Sequence, residues 1–136
     1  MPRPPKFDPA RGHRGRGPTK LPAEGRHGEL PIWPLAGRHI AAEMDAWVEL
    51  WSTPQAVAWE RLGAGCIREV ARYCRLRTAA EKPNATAAQQ AQVTALADRL
   101  GLTPKAMRLL LWEIVADEVG EARMSTSDAR SRIKAV

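Results

Sequence analysis

Long apolar runs are missing from this sequence. The longest, such as Leu109-Leu110-Leu111-Trp112, span only a few residues, whereas crossing a bilayer takes about 18, so no membrane span is expected. The N-terminus, MPRPPKFDPARGHRGRG, carries positive charge but no apolar h-region, which excludes a secretory signal and makes the cytosol the expected compartment. Cysteine is scarce. Cys66 and Cys74 are the only two, and on one helix they would stand roughly 12 Å apart, too far for a disulfide. Two reduced core thiols are expected. Histidine is scarce as well: of His13, His27 and His39, only His39 has a partner at helical spacing, Glu43. Two ligands do not make a protein zinc site, so neither metal nor cofactor is expected. No P-loop, no Gly-x-Gly-x-x-Gly after a strand, no Gly-x-Ser-x-Gly and no acid-base carboxylate pair can be found, and the expectation is a non-enzymatic protein. With 136 residues and 5 % aromatics, the chain supports one modest core and not two domains.

Basic charge, by contrast, is plentiful and concentrated at the ends. Residues 1–28 carry seven basic residues against two acidic ones, residues 121–136 carry four against two, and the stretch between is close to neutral. Residues 1–28 also hold five glycines and six prolines, with Phe7 and Leu21 as the only large apolar side chains apart from Met1. That composition predicts a disordered basic arm. Its Arg3, Lys6, Arg11, Arg14 and Arg16 suit a phosphate backbone, where each neutralised phosphate releases counterions. The plain alternative is a solubilising tail that binds nothing. Three segments are therefore expected: an arm over 1–28, a helical core and oligomerisation domain over 29–120, and a flexible basic tail over 121–136.

The core reads as all-α, a compact bundle of about four helices. Leu30-Pro31-Ile32-Trp33-Pro34-Leu35 is an apolar strap held extended by its prolines. Ile40, Met44, Trp47, Val48 and Trp51 then recur along one face of a helix from about 38 to 52. Thr53-Pro54 is a cap-plus-proline pair that opens a second helix, about 54–81, with Trp59, Leu62, Cys66, Ile67, Val70, Tyr73 and Cys74 inward. Gly63 and Gly65 weaken that helix and make a bend or close contact plausible there. On its far side Arg61, Arg68, Arg72 and Arg75 share a stripe with no acid inside it. The stripe reads equally well as a phosphate-binding face or as a solvated one that Glu69 partly neutralises. Thr86 caps a third helix to about Leu100, ended by Gly101. Thr103-Pro104 opens a fourth, 104 to about 119, ended by Gly120. On that helix Leu109 and Trp112 point away from the inner face of Met107, Leu110, Leu111, Ile114 and Val115, and burying them takes a second surface, either another helix or another subunit.

One constellation points to nucleic acid. Ala97, Gly101 and Met107 stand at the spacing by which two helices of a helix-turn-helix cross, which would turn Lys105 and Arg108 toward DNA. An αα-corner in a helical core gives the same spacing, and the shortage of base-reading side chains on the fourth helix favours that reading slightly.

Taken together these residues resemble the small terminase subunit of tailed bacteriophages, of the actinobacterial phage and prophage type. The resemblance is carried by Leu21-Pro22-Ala23-Glu24-Gly25-Arg26, Ile32-Trp33-Pro34-Leu35, Trp47-Val48-Glu49-Leu50-Trp51-Ser52-Thr53-Pro54-Gln55-Ala56, Trp59-Glu60-Arg61, Asp98-Arg99-Leu100-Gly101-Leu102-Thr103-Pro104 and Leu110-Leu111-Trp112-Glu113-Ile114. It implies a non-catalytic, all-helical protein of the bacterial host cytoplasm that forms a homo-oligomeric ring, binds double-stranded DNA at the viral packaging site and regulates the ATPase and nuclease of a large terminase subunit. A helix-turn-helix transcriptional regulator and a helical scaffold with no nucleic-acid role are the competing readings.

Overall fold

The computed structural model describes residues 17–116 and Arg130; the arm candidates Arg3, Lys6, Arg11, Arg14 and Arg16, and all of the tail but Arg130, lie outside the described residues. The order of elements is β1 (Thr19–Pro22), α1 (Ala41–Trp51), α2 (Pro54–Leu62), α3 (Ala64–Ala80), α4 (Ala87–Arg99), α5 (Pro104–Leu110) and β2 (Trp112–Val115). The expected all-α class holds, with one small two-stranded sheet added. Among the described residues, no helix is long and apolar enough to cross a membrane.

Local chemistry sets the helix boundaries. α1 opens where the Glu43 carboxylate accepts from the Ile40 N–H at 3.2 Å, a first-turn acid near the positive end of the helix dipole. It closes on Ser52 and Thr53, whose hydroxyls donate back to the carbonyls of Glu49 (2.6 Å) and Leu50 (2.7 Å). Thr53 has the extended backbone of an N-cap, but its hydroxyl serves the end of α1 and not the start of α2. The expected second helix is two helices. Gly63 has φ +88° and ψ −163°, a conformation essentially reserved for glycine, so the hydrogen-bond ladder stops there, and the Gly63 carbonyl restarts it by accepting from Cys66 and Ile67. α4 begins with a reciprocal capping box: Thr86 Oγ1 accepts from the Gln89 N–H at 3.2 Å, and Gln89 Oε1 accepts from the Thr86 N–H at 2.9 Å.

The core is a tryptophan ladder. Trp33, Trp47, Trp51 and Trp59 follow one another with ring centroids 5.2, 5.4 and 5.8 Å apart, each pair tilted toward edge-to-face, the arrangement the ring quadrupoles favour. Trp47, Trp51 and Trp59 are buried, together with Leu50, Ala56, Val70, Ala71, Cys74, Leu96 and Leu100. Trp47 Nε1 donates to the Pro31 carbonyl at 3.0 Å, which fastens the 30–35 strap to α1. Trp59 Nε1 donates to the Leu100 carbonyl at 2.9 Å, and Gln55 Nε2 to the Gly101 carbonyl at 3.3 Å. Two buried donors of α2 thereby satisfy the carbonyls at the end of α4.

Two expectations fail at the sheet. The fourth helix does not run to 119: α5 stops at Leu110, because Leu111 takes a left-handed conformation (φ 55°, ψ 43°) and turns the chain into β2. The 1–28 arm is not wholly outside the fold either, since β1 pairs with β2 in parallel, Thr19 opposite Trp112 and Leu21 opposite Ile114. Flanking hydrogen bonds from Thr19 N–H to the Leu111 carbonyl (2.7 Å) and from Ala23 N–H to the Val115 carbonyl (2.9 Å) extend the ladder. Leu21, the one large apolar residue within β1, is fully buried. Pro22 has no N–H to donate and ends the strand.

Candidate nucleic-acid interface

The arginine stripe does not survive the break at Gly63. Arg61 is exposed in the last turn of α2, while Arg68, Arg72 and Arg75 belong to α3. Their engagements differ. Arg68 is exposed and reaches the Pro34 carbonyl at 3.5 Å. Arg72 pairs with Glu69 one turn back, the neutralisation that helical spacing allows. Arg75 is committed to the fold: its guanidinium lies over the Trp33 ring, donates to the Ala36 carbonyl at 3.1 Å and the Arg38 carbonyl at 3.4 Å, and stands 3.8 Å from Glu43. Of the four, Arg61 and Arg68 keep their heads most nearly free for phosphate.

Two arginines outside the stripe are also spent on structure. Arg77 grips both Glu49 oxygens, at 2.9 and 3.3 Å, and also Glu81 at 3.2 Å, tying α1 to α3. Hydrogen bonding to Glu49 holds its pKa above the ordinary arginine value. Arg26 lies over the Trp51 ring, donates to the Glu29 carbonyl and pairs with Glu60 at 2.9 Å, with 9 % of its side chain exposed. The partners Glu49, Glu60 and Trp51 could not be read from the chain, because each lies far away in sequence.

Lys105 and Arg108 are exposed on α5. The corner that presents them is well built. Gly101 turns the chain with φ +72°, and a β-carbon there would come within 2.3 Å of the Trp112 ring. Thr103 Oγ1 accepts from the Ala106 N–H at 3.2 Å and donates to Asp98 Oδ1 at 2.6 Å, capping α5 and anchoring it to α4. Yet α5 has only seven residues, roughly 10 Å of helix, which leaves few outward positions to read a groove.

Arg99, not singled out from the sequence, is the residue that connects this region. It lines a groove of about 260 Å³ between α3 and α4 with Glu69, Arg72, Leu76 and Gln92. It also lines a second groove, of about 280 Å³, with Asp98, Lys105, Ala106, Leu109 and Leu110. In the sequence it reads as an ordinary basic residue in the last turn of a helix, which satisfies the dipole and masks any other role.

The two residues expected at a subunit interface part company. Leu109 is 75 % exposed on α5. Trp112 is on β2 and not on a helix, half-buried, its ring closed over Gly101. Around Leu109, Leu110, Leu111 and Ile114 are 38–43 % exposed, so this end of the molecule keeps an apolar strip in solvent.

His39 packs against Trp33 with centroids 5.4 Å apart, and its helical neighbour Glu43 is occupied by the Ile40 N–H and Arg75. Among the described residues, no three of His, Cys, Asp and Glu converge as metal ligands would. Compared with models of known protein families, with curated proteins and with solved structures, the chain matches none.

Proposed function

We propose that this chain is a non-catalytic, self-assembling DNA-binding adaptor of the terminase small-subunit kind: a homo-oligomeric ring that holds double-stranded viral DNA at the packaging site and regulates a large ATPase and nuclease subunit. The observation that carries the reading is an exposed apolar end of the described fold. Large apolar side chains stay exposed at the α5–β2 end, Leu109 above all, and a contiguous apolar surface of that kind marks a protein contact. In the sequence the strongest run of positive charge is residues 1–16, with five basic residues against one acidic.

A regulator that reads a palindrome through α5 is less well supported. Seven residues of helix, with Lys105 and Arg108 as the only cations, give little base-reading chemistry. The adaptor reading puts most of the affinity in sequence-independent phosphate contacts from the arm.

Replacing Arg3, Lys6, Arg11, Arg14 and Arg16 together with glutamine tests it. The slope of log affinity against log salt for a DNA duplex should fall by about 4 to 5, since each lost phosphate contact removes roughly 0.9. A slope unchanged by that replacement, with binding abolished instead by Lys105→Ala and Arg108→Ala, would favour the regulator.

A further inference from the structure

The groove between the end of α4 and α5 has a mixed lining. It is lined by the apolar Ala106, Leu109 and Leu110 and by Arg99, Lys105 and Asp98. Asp98 is occupied, since its Oδ1 accepts from the Thr103 hydroxyl at 2.6 Å. Arg99 and Lys105 make no ion pair among the described residues. What remains on offer is an apolar trough with two uncommitted cations, which suits an occupant that combines a carboxylate with a branched apolar side chain. A phosphate backbone would satisfy the cations and leave Leu109 in water.

The same chain displays that occupant on β2. Among the described residues β2 pairs only with β1, so its outer edge has no strand beside it. A short two-stranded sheet with an open edge is an invitation to a further chain. On β2 Glu113 is exposed, and Val115, two residues on and therefore on the same face of the strand, is half-buried. Glu113 stands opposite Lys20 in the β1–β2 register but forms no ion pair with it.

We infer that a second copy of this chain seats the β2 edge in the α4–α5 groove, Glu113 against Arg99 and Lys105, and Val115, on the same face of the strand, against Leu109 and Leu110. The inference rests on the self-assembly proposed above and names its contact. Donor edge and receiving groove are different surfaces, so the contact repeats head to tail, and such contacts give a closed ring when the rotation between copies closes.

The test is a charge swap read by light-scattering mass across a concentration series, with far-UV circular dichroism to show that each variant is folded. The wild-type chain should have a mass several times that of one chain. Lys105→Glu and Glu113→Lys should each weaken association at least tenfold, and the double variant Lys105→Glu/Glu113→Lys should recover most of the loss. Assembly that is indifferent to both single variants, or a double variant no better than either, overturns this contact and leaves self-assembly standing. A wild-type monomer at micromolar concentration overturns both. If Lys105→Glu leaves the mass unchanged but abolishes binding to a DNA duplex, the groove belongs to nucleic acid and the inference is wrong.

Discussion

The guanidinium of Arg75 lies over the indole of Trp33, 5.4 Å from the ring centroid, and the same fork donates to the carbonyls of Ala36 and Arg38. One side chain of α3 thus clamps the strap that crosses the tryptophan ladder. A lysine would keep the charge but not the planar fork that stacks and donates at once.

Arg75→Lys should therefore lower unfolding free energy by about 1–2 kcal/mol, the combined scale of a half-exposed cation–π contact and a charge-assisted hydrogen bond. Urea unfolding followed by tryptophan fluorescence measures it. Affinity for a DNA duplex should stay within a factor of two of the wild type. A large loss of DNA affinity with unchanged stability would return Arg75 to the phosphate-binding face.

Arg26 and Glu60 make a second clamp, and it carries a pH signature. The hydrogen bond from Arg26 holds the Glu60 carboxyl below its ordinary value of 4.5, against a smaller opposing effect of burial. A carboxylate whose folded pKa is depressed stabilises the fold above its unfolded pKa, and loses that contribution as pH falls through the folded value. Glu60 is 55 % exposed, so the effect is small, within the range of surface pairs. The stability gap between wild type and Glu60→Gln should be constant above about pH 5.5 and close progressively below 4.5. A gap that stays constant down to pH 3 would show that the pair contributes nothing.

The two thiols should separate in a labelling experiment. Cys74 is fully buried in the core, and burial pushes its pKa up to about 12. Cys66 is half-buried, and its pKa is raised first by burial and then by the nearby Glu69. The thiolate is the reactive form. At pH 8 a thiol reagent should label about one group per folded chain, slowly, and the second only after unfolding. Fast reaction of both thiols in the native protein would contradict the burial of Cys74.

Much of the fold could be read from residues that act on their immediate neighbours. Thr86 with Gln89, Thr103 with Pro104, and Gly101 beyond the end of α4 mark boundaries through contacts within five residues. Trp47, Trp51 and Trp59 declare the core by helical spacing. Contacts between distant residues left no such trace. β1 is four residues long and finds its partner near position 112, so nothing in Thr19–Pro22 distinguishes it from the Gly/Pro-rich stretch around it. The candidate site suffered most for the same reason. An arginine bound for a carbonyl 37 or 39 positions away, as Arg75 is, has the same local pattern as one bound for phosphate.

Leu111 is the sharpest case, because the two readings of its backbone predict opposite signs. Apolar spacing continues through Ile114 and Val115 and suggests unbroken helix, yet Leu111 is left-handed and α5 ends there. Its side chain is 38 % exposed, so a single truncation would mix lost packing with backbone strain. Comparing Leu111→Gly with Leu111→Ala removes that confusion, since both lack the leucine side chain. In a left-handed position glycine should be the more stable of the two by about 1 kcal/mol, because a β-carbon is disfavoured there. In a continuous helix alanine should be the more stable by about the same amount. Thermal or urea unfolding of the pair reads the difference directly. An alanine variant more stable than the glycine variant would restore the long helix and remove β2, and with it the edge on which the contact between copies depends.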